Sequence, residues 1–225
     1  MSDYYSEHLS SSKLKRCYDI APPRVRQYLR AEIDYVIEYI RQSDVVIELG
    51  CGYGRVLRHI LPCSSALIGI DTSYESLKLA DEYIGRSSRC HLFQSNASHL
   101  PLLDKCVDKV VCIQNGISAF KVDPLCLIEE CVRITRKGGS CLLSSYSDEF
   151  WNHRLEWFKL QSEEGLVGEI DWSLTSDGVI NCKDGFTATT FRREDFTRIC
   201  DQLGLEATIC EVDSSSIFCV ISVLH

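Results

Sequence analysis

The chain reads as an α/β protein: a largely parallel sheet with helices on both faces and an antiparallel ending. Three observations predict it. Short apolar runs alternate with helical patterns from residue 45 to residue 145. Those runs are apolar throughout, as in strands covered on both faces. The last two strand-like runs are separated only by Asp213-Ser214-Ser215, far too short for a parallel crossover, so they are antiparallel.

The elements follow in order. Residues 1–20 are polar and read as a loose segment or a short helix. Pro22-Pro23 is a helix-start signal, and Val25, Tyr28, Leu29, Ile33, Val36, Ile37 and Ile40 recur at helical spacing, which predicts an amphipathic helix over 23–41. Residues 45–49 form a strand, 54–61 a helix ended by Pro62, and 66–70 a second strand finishing on Asp71. Ser73 is a plausible N-cap for a helix over 73–84, with Glu75 in its first turn. Strands follow at 90–94 and 109–113, then a helix over 124–135 that Lys137-Gly138-Gly139 terminates, then a strand over 140–145. Residues 148–160 read as an aromatic-rich helix. Residues 165–191 carry alternating patterns and the turns Asp177-Gly178 and Asp184-Gly185, which suggest inserted antiparallel hairpins. A helix over 193–203 and strands over 207–212 and 216–224 close the chain.

A length of 225 residues suits one domain with a sizeable core. We read 1–225 as a single domain, with 1–41 as an N-terminal helical cap and 147–191 as an inserted lid or substrate segment. Hydrophobic (45%) and charged (25%) contents fit a globular protein. No signal peptide is visible at the start, and no run approaches a membrane span, so a cytoplasmic protein with no membrane partner is expected. The net charge of −8 disfavours a nucleic-acid partner. The thirteen cysteines include no C-x-x-C and no zinc-finger spacing; they imply no metal and no disulfide framework, but small buried hydrophobes in a reducing compartment.

The chemistry concentrates after the first strand, at Glu48-Leu49-Gly50-Cys51-Gly52-Tyr53-Gly54. A glycine-rich strand-to-helix turn brings backbone N–H groups close to a ligand, and Gly50 and Gly52 lack the Cβ atoms that would block approach. Asp71 ends the next strand, 17 residues after Gly54, where an acid can accept hydrogen bonds from a ribose diol. The alternative for Asp71 is a helix cap. The dinucleotide fingerprint requires a third glycine where Arg55 stands, and the Glu48 carboxylate would repel a pyrophosphate but suit a cationic ligand.

"ELGCGYG", "GID", "QSNASHLP", and "DKVVCIQNGI" followed by "RITRKGGSCLLSSY" together resemble the class I S-adenosylmethionine-dependent methyltransferases. The resemblance covers about residues 44–146 plus the final helix and two strands. It implies a Rossmann-like doubly wound sheet of seven strands in the order 3-2-1-4-5-7-6, strand 7 antiparallel. It also implies S-adenosylmethionine as cofactor. Gly50, Cys51 and Gly52 would then line its methionine part, with Glu48 beside them; Asp71 would hold the ribose and Thr72 lie by the adenine; Asn96 and Ala97 would touch the adenine; Gln114 and Asn115 would stand beside the sulfonium. Asn96 replaces the usual Asp of that motif, and its alternative is a plain turn residue. Tyr53 and Arg55 read as helix-surface or packing residues.

Methyl transfer from a sulfonium is an in-line displacement with a neutral leaving group. Alignment and water exclusion can contribute on the order of 7–11 kcal/mol, and a base is needed only where the acceptor carries a proton. His153, Asn115 and Tyr146 are the candidate catalytic residues. Tyr4, Tyr5, Tyr18, Tyr146, Trp151, His153, Trp157 and Trp172 flank the expected cofactor mouth, where they either cover a small acceptor or pack the insertion. Arg24 or Arg26 could hold a substrate carboxylate, and His91 and His225 read as structural. The resemblance favours a small-molecule acceptor. A protein or RNA acceptor, a non-catalytic binding subunit and a dinucleotide oxidoreductase are the alternatives, the last opposed by Arg55 and Glu48. The acceptor atom and the oligomeric state stay open.

Overall fold

The structure, a computed structural model, describes residue 4 and residues 8–224. Its helices are α1 (Ser11–Asp19), α2 (Pro23–Glu38), α3 (Arg55–Ile60), α4 (Tyr74–Ile84), α5 (Gly116–Ala119), α6 (Pro124–Ile134), α7 (Trp151–Glu163) and α8 (Arg193–Leu203). The strands are β1 (Val45–Leu49), β2 (Ala66–Asp71), β3 (Cys90–Gln94), β4 (Val107–Cys112), β5 (Thr135–Tyr146), β6 (Ile180–Asn181), β7 (Thr187–Ala188), β8 (Ala207–Val212) and β9 (Ser216–Ser222).

Seven strands form one sheet in the order β3-β2-β1-β4-β5-β9-β8. The first five run parallel, and β9 lies antiparallel to both β5 and β8. This is the expected order, because β9 is the seventh strand of this sheet. Alternation along β1 builds two cores. Ile47 and Leu49 meet Leu127, Ile128 and Cys131 of α6 and Phe196 and Ile199 of α8. Val46 faces the other side, toward Ile33 and Val36 of α2 and Val56, Leu57 and Ile60 of α3. Local signals set the helix starts: Pro23 is at N1 of α2, Ser73 Oγ accepts from Ser76 N on α4, and Asp123 accepts from Leu125 N on α6.

Some boundaries differ from the sequence reading. The expected 23–41 helix stops at Glu38. Pro62 sits inside a 3₁₀ turn, Leu61–Cys63, that extends α3. Strand β5 starts at Thr135 rather than 140, because Gly138 N donates to Val223 O and Val223 N to Gly139 O, a pairing with the far end of the chain. The 165–191 segment contains the expected antiparallel pair, β6 and β7, turned at Asp184-Gly185. A second turn at Asp177-Gly178 is closed by the Ser176–Val179 bridge. This segment packs its own apolar cluster, with Phe158, Val167, Ile180 and Phe186 against Leu9 and Cys17. Arg154 is 0% exposed and pins it: its guanidinium donates to Gly178 O, Ala188 O and Thr190 Oγ1 at 2.7–2.9 Å.

All thirteen cysteines are free. Among the described residues no helix is long and apolar enough to cross a membrane, and no group of three or more His, Cys, Asp or Glu side chains could hold a metal ion.

Candidate active site

The turn after β1 is tightly constrained. Gly50, Gly52 and Gly54 take φ of +72°, +53° and +83°, the left-handed region where a Cβ is strained. Gly50 N and Cys51 N both donate to Ile70 O, at 2.8 and 2.9 Å, and tie the turn to the end of β2. At that end Asp71 accepts from Gly52 N through Oδ2 and from Ser73 N through Oδ1, both at 2.8 Å. The Asp71 carboxylate therefore fixes the glycine turn and the following helix start together. Ser73, not Asp71, caps α4. Each carboxylate oxygen carries two lone pairs, enough for a backbone N–H and a ligand hydroxyl together.

The open-glycine expectation needs a correction. A Cβ at Gly50 would stand 2.6 Å from Phe120 Cε1, and one at Gly52 2.8 Å from Leu14 Cδ2. The chain's own side chains close on those positions, so the glycines serve close packing and positive φ. The crevice opens beside them.

A cavity of about 440 Å³ lies at the C-terminal ends of the strands, where open α/β sheets bind ligands. Its lining includes Glu48, Gly50, Asp71, Thr72, Asn96 and Ala97. Leu14, Tyr18, Tyr28, Gln114, Tyr146, Trp157 and Phe158 also line it. Glu48 is 4% exposed and its Oε2 has no partner. Burial drives its carboxyl well above the ordinary value, against the pull of the Arg55 charge. Cys51 buries its side chain behind the turn, toward Gly69, and neither Cys51 nor Gly52 is on the cavity lining, which corrects their reading as lining residues. Burial pushes its thiol well above the ordinary value. Thr72 O accepts from Gln94 Nε2 at 2.8 Å. Asn96 closes an Asx turn, its Oδ1 accepting from Ser98 N and Ser98 Oγ at 2.9 Å each, so its carbonyl is committed to the turn while the residue still lines the cavity.

Beyond β4, Gln114 and Asn115 take φ of +57° and +63°. Each costs about 1–2 kcal/mol and is held by β5: Gln114 N donates to Ser144 Oγ (2.9 Å) and Asn115 N to Ser144 O (3.1 Å). Gln114 turns into the cavity, its Oε1 accepting from Tyr18 OH at 3.1 Å, with Nε2 buried and unpartnered. Asn115 turns away. Its Nδ2 donates to Thr189 O (2.8 Å) and its Oδ1 accepts from Ser145 Oγ (2.7 Å). It is off the cavity lining and clamps the insertion to the sheet, which corrects its reading as a cofactor or catalytic residue.

His153 is also corrected: it is exposed on α7, its ring 5.7 Å from Phe150, and outside the lining. Tyr146 does line the cavity. Burial raises its phenol, and the Arg154 guanidinium, 4.2 Å from the ring centre, acts against that rise. Trp157 lines the cavity and donates from Nε1 to Cys17 O at 2.8 Å. Tyr4, Trp151 and Trp172 lie off the lining, Trp172 at 58% exposure. Tyr5 and His225 lie outside the described residues. Arg24 is engaged by Asp213 (2.6 Å) and Arg26 by Asp19 O. Tyr53 is buried against Tyr18 and Tyr83. Arg55 places its guanidinium 4.8 Å from the Tyr18 ring centre, with Nε and Nη2 buried and unpartnered.

Sequence reasoning missed Glu32. It is 0% exposed behind the cavity wall, and its Oε1 accepts from Ser144 Oγ at 2.6 Å. Burial pushes its carboxyl up to about 7, with Ser144, Ser216, Arg55 and Tyr28 acting against the rise. The signal was present: Glu32 sits four residues after Tyr28 and four before Val36, inside the apolar stripe of α2.

Residues 46–139 match the family model of a methyltransferase domain. A malonyl-[acyl-carrier protein] O-methyltransferase of Marinomonas sp. (strain MWYL1) is 31% identical over 131 residues, 56% of this chain and 47% of that protein. The chain spans about half or less of the length of the curated relatives it matches. A solved protein of Pyrococcus horikoshii OT3 superposes with a TM-score of 0.70 at 17% identity, covering 99% of both chains. The N-methyltransferase NodS of Bradyrhizobium japonicum WM9, solved with S-adenosyl-L-homocysteine, gives 0.60 at 14% identity, covering 98% of each. At these identities the structural likeness speaks for the fold.

Proposed function

We propose that this chain, whose residues 46–139 match the family model of a methyltransferase domain, transfers the methyl group of S-adenosylmethionine to a small-molecule acceptor. The observation that carries the reading is the joint fixation of the glycine turn and Asp71 on the lining of one cavity. Three features fit the cofactor. Asp71 stands where a ribose diol would meet a carboxylate already oriented by two N–H groups. The unpartnered Glu48 Oε2 supplies an acceptor for the cationic methionine end. Gly54, at φ +83°, starts α3 and leaves Arg55 in the helix, which does not reproduce a dinucleotide fingerprint.

When bound, the cofactor supplies an electrophilic methyl group. The chain's part is to hold, align and exclude water. Glu48 and Asp71, both on the lining, would hold the two polar ends; Leu14 and Phe120 press on the turn; Gln114 and Tyr146 also line the cavity and would help to enclose the acceptor. We read α1, α2 and the 147–191 segment as the cap and lid of one domain, because α1 and α7 both line the cavity and Trp157 bonds to Cys17. A volume of about 440 Å³ shared with a cofactor favours a small acceptor over a protein or RNA chain. The free cysteines fit a reducing compartment such as the cytoplasm.

Isothermal calorimetry tests the cofactor. S-adenosylhomocysteine should bind in the micromolar range and NAD should give no heat; tight NAD binding would reverse the assignment. Labelled S-adenosylmethionine offered with a fractionated metabolite extract should mark a small molecule. Label in a macromolecular fraction would reassign the acceptor.

A further inference from the structure

Among the described residues Lys121 is the one cation on the cavity lining, and Glu48 and Asp71 are its acids. Lys121 follows Phe120, whose ring stands 2.6 Å from where a Cβ on Gly50 would lie, so the lysine is next in sequence to a side chain that covers the glycine turn. Its φ is +54°, in the left-handed region that a lysine enters at a cost. Backbone of this kind persists where the surroundings over-determine it, and it clusters at ligand sites.

The surroundings here come from the 147–191 segment. The Lys121 ammonium donates to Thr187 O at 2.9 Å. Beside it, Asn115 Nδ2 donates to Thr189 O at 2.8 Å, and the Ser118 hydroxyl bonds to that of Thr189. An ammonium has three N–H donors, and Thr187 O takes one of them. Lys121 keeps accessible surface, so the spare donors are open to a ligand. No acid among the described residues forms an ion pair with it, and partial burial holds its ammonium below the ordinary value. A partly desolvated cation without a counter-charge is stabilised by an anion that accepts its free N–H groups.

We infer that Lys121 binds a carboxylate in the cavity. On the methyltransferase reading, on which this rests, the cofactor brings one: its amino-acid end is a zwitterion. Glu48 would meet the ammonium, and Lys121 supplies the matching donor for the carboxylate. A carboxylate on the methyl acceptor has the same chemistry and is the other source. The contact of Phe120 with Gly50 favours the cofactor.

Calorimetry on the full chain tests this with two nucleosides, S-adenosylhomocysteine and its decarboxylated analogue, which keeps the amine. Lys121→Met should weaken S-adenosylhomocysteine at least about fivefold and leave the decarboxylated analogue within about twofold; Lys121→Arg should restore most of the loss. Benzoate, titrated into the protein saturated with S-adenosylhomocysteine, tests the other source. Benzoate binding that Lys121→Met abolishes, with S-adenosylhomocysteine affinity unchanged, keeps Lys121 as the carboxylate site and assigns it to the acceptor. The inference is overturned if the methionine variant changes neither S-adenosylhomocysteine nor benzoate binding. It is overturned equally if both nucleosides weaken together, which would show a structural role. Those results all require a wild type that binds S-adenosylhomocysteine; a wild type that binds neither nucleoside removes the methyltransferase reading, and this inference with it.

Discussion

Glu32→Gln should flatten a pH dependence of stability that the wild type carries between about pH 4.5 and 7. Glu32 is fully buried, with one oxygen bonded to Ser144 and the other without a partner. Burial outweighs the Ser144, Ser216 and Tyr28 hydroxyls and the Arg55 charge, and lifts its carboxyl from 4.5 to about 7. The sign follows directly. An acid whose folded pKa is raised binds its proton more tightly when folded, so its contribution is fully present below pH 4.5 and is lost as pH climbs through 7. At about 1.4 kcal/mol per pH unit, that interval corresponds to about 3 kcal/mol. Glutamine resembles the protonated acid in shape, keeps an acceptor for Ser144 and does not titrate. Urea unfolding of both proteins at several pH values from 4.5 to 8 gives the comparison. Subtracting one curve from the other removes the titrations they share. The variant should gain about 3 kcal/mol on the wild type across that range. A difference that stays flat refutes the claim that Glu32 is a desolvated acid.

Other outcomes are expected. Asp71→Ala should weaken S-adenosylhomocysteine by at least about tenfold, or about 1.4 kcal/mol; unchanged affinity in calorimetry would misplace the ribose. Gly50→Ala, at φ +72° and against Phe120, should cost about 2 kcal/mol in thermal unfolding, and an unshifted midpoint would show the turn to be lax. Arg154→Met leaves Gly178 O, Ala188 O and Thr190 Oγ1 without their buried donor and should cost about 3 kcal/mol; a loss under about 1 kcal/mol would show that the insertion is anchored elsewhere.

The sheet was legible because each strand announces itself locally. Val45–Leu49 and Ala66–Asp71 are apolar runs bounded by turn residues, and Asp71 falls at a strand end as the spacing required. The start of β5 was not legible, because Gly138 and Gly139 are paired by Val223, 84 residues or more along the chain (223 − 139 = 84). The glycine turn and Asp71 at the cavity were readable from motif spacing; the aromatic lining was not. Tyr28 and Trp157 meet there only after α2 and α7 pack together, and no local pattern encodes that meeting. Asn115 and His153 were misjudged for one reason: sequence gives a residue's address but not the direction of its side chain. Glu32 was readable in principle, since it is a charge on an otherwise apolar helical stripe; Arg154 was less so, because Gln161 shares its buried face with Trp157 and Phe158.

The position of β9 between β5 and β8 has a consequence for biogenesis. A ribosome releases it after the six strands that surround it in the sheet. Until it arrives, β8 has no neighbour in the sheet and β5 shows a bare backbone edge of seven residues, Ser140–Tyr146, open to any stray strand. A message truncated just before Ser216 would therefore yield a sticky fragment rather than a smaller working protein, and cellular quality control would have to clear it.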